Sequence, residues 1–225
     1  MDHLAALAAL PPGTRINAAG VDPGDKSPDH KAALAVLEAT VTGACTWTRG
    51  QVKAAPALAD LRIVYVDELP WRAGAVQRKM VQLAPLVLMV EDQFWPFGLS
   101  KRPGAADDDQ GRDEEAAHGG GRFKVLKGLA HCSGSLCGAA AVAGIPAYLV
   151  AHGTWKAVLG RGTGQTVARR GSVEFMRALG GPGGPITKTH DRAAAVAIAL
   201  VGLGVVDVQA QLGPGNPDLG AWLAA

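Results

Sequence analysis

Three acidic residues sit where an oxygen-ligand site could be built. Asp22 closes an apolar run, INAAGVD, immediately before Pro23-Gly24. Glu91 follows LVLMV, the most apolar short stretch of the chain, and Asp191 stands in THDRAAAVAIAL, an alanine-rich segment of helical composition. A carboxylate at the end of a buried strand loses hydration, and a cation is one partner that offsets the loss. An acid before Pro-Gly also simply opens a turn, and acids after an apolar run also mark its arrival at solvent. Taken together, the three change the weighting. If the two strands are neighbours and the late helix crosses their face, three like charges converge, and divalent cations relieve their repulsion. Oxygen donors suit Mg²⁺ or Mn²⁺. Two such ions ~3.5–4 Å apart would serve hydrolysis of a phosphodiester.

The elements needed to hold these acids are legible in outline. The residues 16–22 read as a strand broken by the DPG turn, and 32–39 as a second strand returning on the first. The segments 42–48 and 61–67 read as further strands, separated by Pro56, the latter with clean alternation. Short connections favour antiparallel pairing among them. The stretch 73–83 has a helical face of Val76, Met80 and Leu83, ended by Pro85. Leu86–Val90 reads as a strand covered on both faces, 122–143 as a small-residue helix stopped by Gly144, and 145–150 as another buried strand. A short helix is expected at 154–159, then a glycine-rich basic loop, GRGTGQTVARR, and a helix over 171–179. After the GGPGGP break a helix spans 189–203, capped by Thr189 and opening on His190-Asp191. Gly162-Thr163-Gly164 is not a phosphate-binding P-loop, because the closing Gly-Lys-Ser/Thr is missing.

Composition narrows the classes. The chain has 225 residues, 48% of them hydrophobic, and a net charge of only +2. It can build one full core, and any polyanion must be met by a local patch rather than by overall charge. Three cysteines, Cys45, Cys132 and Cys137, form no CxxC pair and no disulfide framework, and fit small core residues in a reducing compartment. The apolar start, MDHLAALAALPPG, lacks a basic leader and meets Pro11-Pro12, and no run approaches the length of a membrane span. A cytoplasmic protein of a bacterial or phage-infected cell is expected. The expected organisation is an N-terminal lead (1–14), one catalytic domain (15–205) and a tail (206–225). Within the domain, 96–121 reads as a mobile loop whose acidic run, six acids between Asp107 and Glu115, is a solvated stretch rather than a rigid ligand set.

GVDPG (20–24), VEDQF (90–94), TWKAVLG (154–160) and THDRAAAVAIAL (189–200) occur in an order and spacing that resemble the RuvC-like Holliday junction resolvases of the RNase H-like superfamily, especially divergent phage-type members. The resemblance covers most of 16–203. It implies an α/β fold with an RNase H-like mixed five-stranded sheet flanked by helices. It also implies a metal-dependent endonuclease that cuts four-way DNA junctions with two Mg²⁺ or Mn²⁺ ions per site, acting as a homodimer. Carried over by position, Asp22, Glu91 and Asp191 are the catalytic metal ligands, with His190 beside them and Asp25 and Asp92 as supporting acids. Phe94 takes the place of an aromatic acting at the junction centre, where base stacking contributes ~1–3 kcal/mol. Lys156, Arg161, Arg169, Arg170, Lys188 and Arg192 are the expected DNA contacts, giving affinity with little sequence choice. One departure stands out: the family's last helix usually carries two acids, or a His and an acid, one turn apart, and one turn after Asp191 this chain has Ala194. That residue keeps open a non-catalytic branched-DNA-binding protein, and within the enzyme class the alternative is a related RNase H-like nuclease acting on RNA–DNA hybrids or flaps. A sugar-kinase-type ATPase is disfavoured by the short chain and the absence of a second phosphate loop.

Overall fold

A computed structural model describes residues 2–23, 31–48, 52–70, 74–92, 131–159, 165–212 and 222. The strands are β1 (Arg15–Asp22), β2 (Lys31–Thr48), β3 (Val52–Pro70), β4 (Val87–Asp92) and β5 (Ala147–Ala151). The helices are α1 (Asp2–Ala8), α2 (Ala75–Leu83), α3 (131–142 as described), α4 (His152–Val158), α5 (Gln165–Ala178), α6 (Ile186–Gly202) and α7 (Val208–Gln211). The five strands form one sheet in the order β3-β2-β1-β4-β5. β1 pairs antiparallel with β2 and β2 with β3, whereas β4 runs parallel to both β1 and β5. This is the mixed five-stranded α/β sheet flanked by helices that the resemblance implied.

Each sheet face has its own core. Ala18 of β1, Val87 and Met89 of β4, and Ala33, Ala35 and Leu37 of β2 pack under α6, α5 and α4. The alternate residues, Ala19, Val21, Leu34, Val36, Leu88 and Val90, pack against Val76 and Met80 of α2 and Leu136 and Ala140 of α3. The uniform burial of β4 follows from helices on both sides. Its outer neighbour β5 is less covered than its apolar sequence suggests: it is the sheet's edge, and Leu149 is exposed.

Several sequence-based boundaries shift. The segments 32–39 and 42–48 are one long strand, and 61–67 belongs to a strand beginning at Val52. Pro56 does not separate strands; it lies within β3 opposite Ala44. β3 is an edge strand, where a residue without an N–H does least harm. The register shifts at Val36/Leu37, Glu38/Thr40 and Val41/Gly43 absorb the irregularity of this hairpin. The basic stretch after Gly164 is not a loop, since α5 already begins at Gln165. α6 also starts earlier than expected, behind Pro185. The fixed φ of proline suits a helix start, and Thr189 Oγ1 bonds back to the Pro185 carbonyl at 3.0 Å instead of capping. His190 and Asp191 therefore occupy the second turn of α6. The helix ended by Gly144 stops as read, with that glycine at φ 72°. The acidic loop and most of the tail lie outside the described residues.

α6 is seated on β1 without an intervening side chain. A Cβ at Gly20 would run into the Ala195 carbonyl oxygen and the Ala199 amide nitrogen. At the far end, a Cβ at Gly202 would lie 2.8 Å from Ala18 Cβ and from Met89 Cγ. Gly20→Ala is therefore expected to destabilise the protein by about 3 kcal/mol or more, because helix backbone rather than a flexible side chain must yield. Gly138→Ala on α3, whose added methyl meets nothing within 4 Å, is expected to be neutral or stabilising by up to ~1 kcal/mol. Urea denaturation of the two variants checks the contrast.

Candidate active site

The register of β1 on β4 carries Val21 opposite Val90, so the next residues, Asp22 and Glu91, end adjacent parallel strands side by side. Strand spacing puts their Cα atoms about 5 Å apart. Alternation settles the face. Ala18 and Gly20 lie beneath α6, as do Val87 and Met89, so Asp22 and Glu91 share that face. Both are buried, with 9% and 5% of their surface exposed. α6 runs antiparallel to β1: Gly202 lies over Ala18, and Ala195 and Ala199 lie over Gly20. One turn before Ala195, on the same stripe, is Asp191, which places its backbone over the strand ends. The backbone thus sets Asp22 and Glu91 side by side and carries Asp191 toward the same end and face of the sheet.

Their side chains have other partners. Glu91 Oε1 accepts from Trp155 Nε1 at 3.1 Å and stands 2.5 Å from His152 Nδ1. Asp191, 40% exposed at its side chain, pairs with His190 Nε2 at 2.7 Å, and His190 Nδ1 stands 3.2 Å from the Ile186 carbonyl. Among the described residues, no three His, Cys, Asp or Glu side chains stand close enough together to grip an ion as arranged. Ala194, where a second helix acid was sought, is buried in the core. Asp92 falls on the opposite face by strand alternation, with Leu88 and Val90, and so does not support Glu91 directly.

The expected DNA contacts divide. Lys156 lies near Glu91, its ammonium 5.5 Å from the Trp155 ring centroid. Burial holds its pKa below the usual lysine value; attraction to Glu91 opposes this and repulsion from Arg169 adds to it. Lys156 and Arg169 are therefore near enough to repel, and of the two Lys156 is the one that feels Glu91. Arg170 is exposed on α5, 3.9 Å from Glu174 one turn on, and Lys188 is exposed on the first turn of α6. Arg192 turns to β3 instead, with Nη2 3.6 Å from Asp67 and Nε 3.3 Å from Glu68. The Nε approach is charge to charge, since that nitrogen is buried without a hydrogen-bond partner. Phe94, Arg161 and Asp25 lie outside the described residues.

Two neighbours of the acids escaped the motif reading: His152, which meets Glu91, and Glu68, which lies in the row of Asp22 but pairs with Arg192. Glu91 pairs in register with Val150, and His152 is two residues further along, at the start of α4. A histidine just beyond β5, level with an acid at the end of β4, was the available signal. Glu68 pairs with Ala33, which pairs with Asp22, so it belongs to the same row across the sheet. Its signal was the antiparallel pairing of the long hairpin.

No family model and no curated protein matches the chain. Solved structures do. A Thermus thermophilus RuvC structure aligns over 85% of this chain and 99% of its own, at 16% identity and a TM-score of 0.48. T. thermophilus RuvC in complex with Holliday junction substrate aligns over 82% of this chain and 91% of its own, at 18% identity and a TM-score of 0.47. The class of fold is defined by the strand order and pairing above. No helix among the described residues is long and apolar enough to cross a membrane.

Arg192→Ala should loosen the start of α6 from β3. Replacing this half-covered partner of two acids is expected to cost ~1 kcal/mol, with the loss shrinking when Glu68 is already alanine. A double-mutant cycle by denaturation measures it.

Proposed function

We propose that the protein is a divalent-metal-dependent, structure-specific endonuclease that hydrolyses phosphodiesters of four-way DNA junctions, in the manner of the RuvC-like family whose motifs its sequence resembles. The observation that carries this reading is the side-by-side burial of Asp22 and Glu91 at adjacent strand ends under α6. Two acids at such a position are an electrostatic liability in a protein that only needs to fold.

The donor set fits Mg²⁺ or Mn²⁺: hard carboxylate oxygens, shielded from bulk water, with no thiolate among them. Asp22 and Glu91 would hold the metal, with Asp191 and His190 joining from α6, two ions per site being the family pattern. When bound, the metal supplies positive charge to the scissile phosphate and acidifies water. The chain's own residues do the rest. His152 and Trp155 fix the carboxylate of Glu91, and the seat of α6 keeps solvent from the floor of the site. Lys156 and Arg169 meet the phosphates flanking the cut, with Arg170 and Lys188 further out; Phe94 and Arg161, DNA contacts by the resemblance, lie outside the described residues. A homodimer would pair two such sites with the two-fold symmetry of a junction.

Incubation with a four-way junction and Mg²⁺ or Mn²⁺ is expected to give paired nicks, and a panel with flap and RNA–DNA hybrid substrates is expected to show preference for the junction. Asp22→Asn should abolish cleavage while leaving junction binding intact or tighter, because a negative charge facing phosphate is gone. Equal cleavage by that variant would remove Asp22 from the site. Tight junction binding by wild type without any nicking would favour the non-catalytic reading, for which Ala194 is the specific observation. Lys156→Ala and Arg169→Ala should each weaken binding across sequences and lower the slope of log affinity against log salt by about one.

A further inference from the structure

We propose that His152 is a positioning residue: by donating from Nδ1 to Glu91 it sets the carboxylate in the orientation that receives the divalent cation. The inference rests on the metal-dependent reading above and adds to it a residue outside the motif set. Glu91 is a long side chain at a strand end, free in principle to rotate about three torsions, and a ligand must give up that freedom before it can hold an ion well. Here one oxygen, Oε1, is met from two directions, by His152 Nδ1 at 2.5 Å and by Trp155 Nε1 at 3.1 Å. The two donors stand three positions apart on α4 and so share a face. Their rings meet edge to face, with centroids 5.2 Å apart and planes at 86°. α4 is itself anchored by the burial of Trp155 and Val158 in the core beneath α6. The clamp is therefore rigid at its base. Since a carboxylate only accepts, Nδ1 carries a hydrogen in this contact. Partners of this kind, which orient a ligand without touching the ion, set metal affinity by 10–100-fold when removed (about one to two orders of magnitude).

The test is Mn²⁺ binding to the purified full chain, followed by calorimetry and by the loss of the free-ion electron paramagnetic resonance signal, with no DNA present. His152→Ala is expected to weaken Mn²⁺ binding by about 10–100-fold. His152→Asn, whose amide nitrogen can take the place of Nδ1, is expected to restore most of the affinity. Thermal melts followed by circular dichroism should show both variants folded, since His152 is more than a third exposed. Wild-type affinity in the alanine variant would overturn the proposal, and so would an asparagine variant as weak as the alanine one. If wild type itself binds no Mn²⁺, the metal-dependent reading falls and the positioning role falls with it. A wild type that binds alongside an unaffected alanine variant removes His152 alone.

Discussion

The structure depends on the contact between the backbone of α6 and the backbone of β1 at Gly20. Helices normally rest on sheets through a layer of side chains. Here the space that a single methyl would fill is taken by the Ala195 carbonyl and the Ala199 amide. The alanine run of α6 and the small residues Ala18 and Ala19 of β1 make the same allowance along the contact. A helix seated this closely cannot slide or roll without collision, since close-packed interiors do not deform smoothly. Its axial position is therefore fixed relative to Asp22, two residues beyond Gly20, and Asp191 is fixed with it, one turn before Ala195. The parallel pairing of β1 and β4 does the same for Glu91. Two backbone constraints, one ladder and one helix seat, set Asp22 beside Glu91 and carry the backbone of Asp191 toward them.

Charge is arranged around that geometry in a graded way. Asp22 and Glu91 are the most buried acids described, and Glu91 is met by ring N–H donors of Trp155 and His152 at hydrogen-bond range, with Lys156 near it. Arg192, close in sequence to Asp191, faces away toward Asp67 and Glu68. It ties the start of α6 to β3 and does not neutralise the acids.

The features legible in the sequence were those governed by local chemistry. The end of β1 at Asp22 ahead of Pro23, the uniform apolarity of β4, the glycine stop after α3 and the alanine-rich body of α6 each declare themselves in a few residues, and their order supported a mixed sheet flanked by helices. Boundaries failed where tertiary context overrode local signals. Pro56 looked like a separator, but an edge strand tolerates it. Arg169 and Arg170 looked like loop residues because glycines precede them, yet α5 buries Val173, Phe175 and Met176 and so draws the helix back to Gln165. Thr189 looked like a cap, but Pro185 had already started the helix. The partners of the acids were the least legible. That His152 reaches Glu91 depends on the register of β5 against β4, and that Glu68 joins the row depends on a hairpin with shifted register. Neither leaves a mark in a short motif.

β3 has one further consequence. Its 19 residues form a border of the sheet, and so long a border would ordinarily invite another chain to zip onto it. Pro56 withholds a donor midway, Asp60 adopts a left-handed φ of 54°, and Leu212 forms a bridge at Leu58. No uninterrupted ladder remains through that part of the rim, so the irregularities that hid the strand in the sequence also guard the folded protein against stacking into fibres.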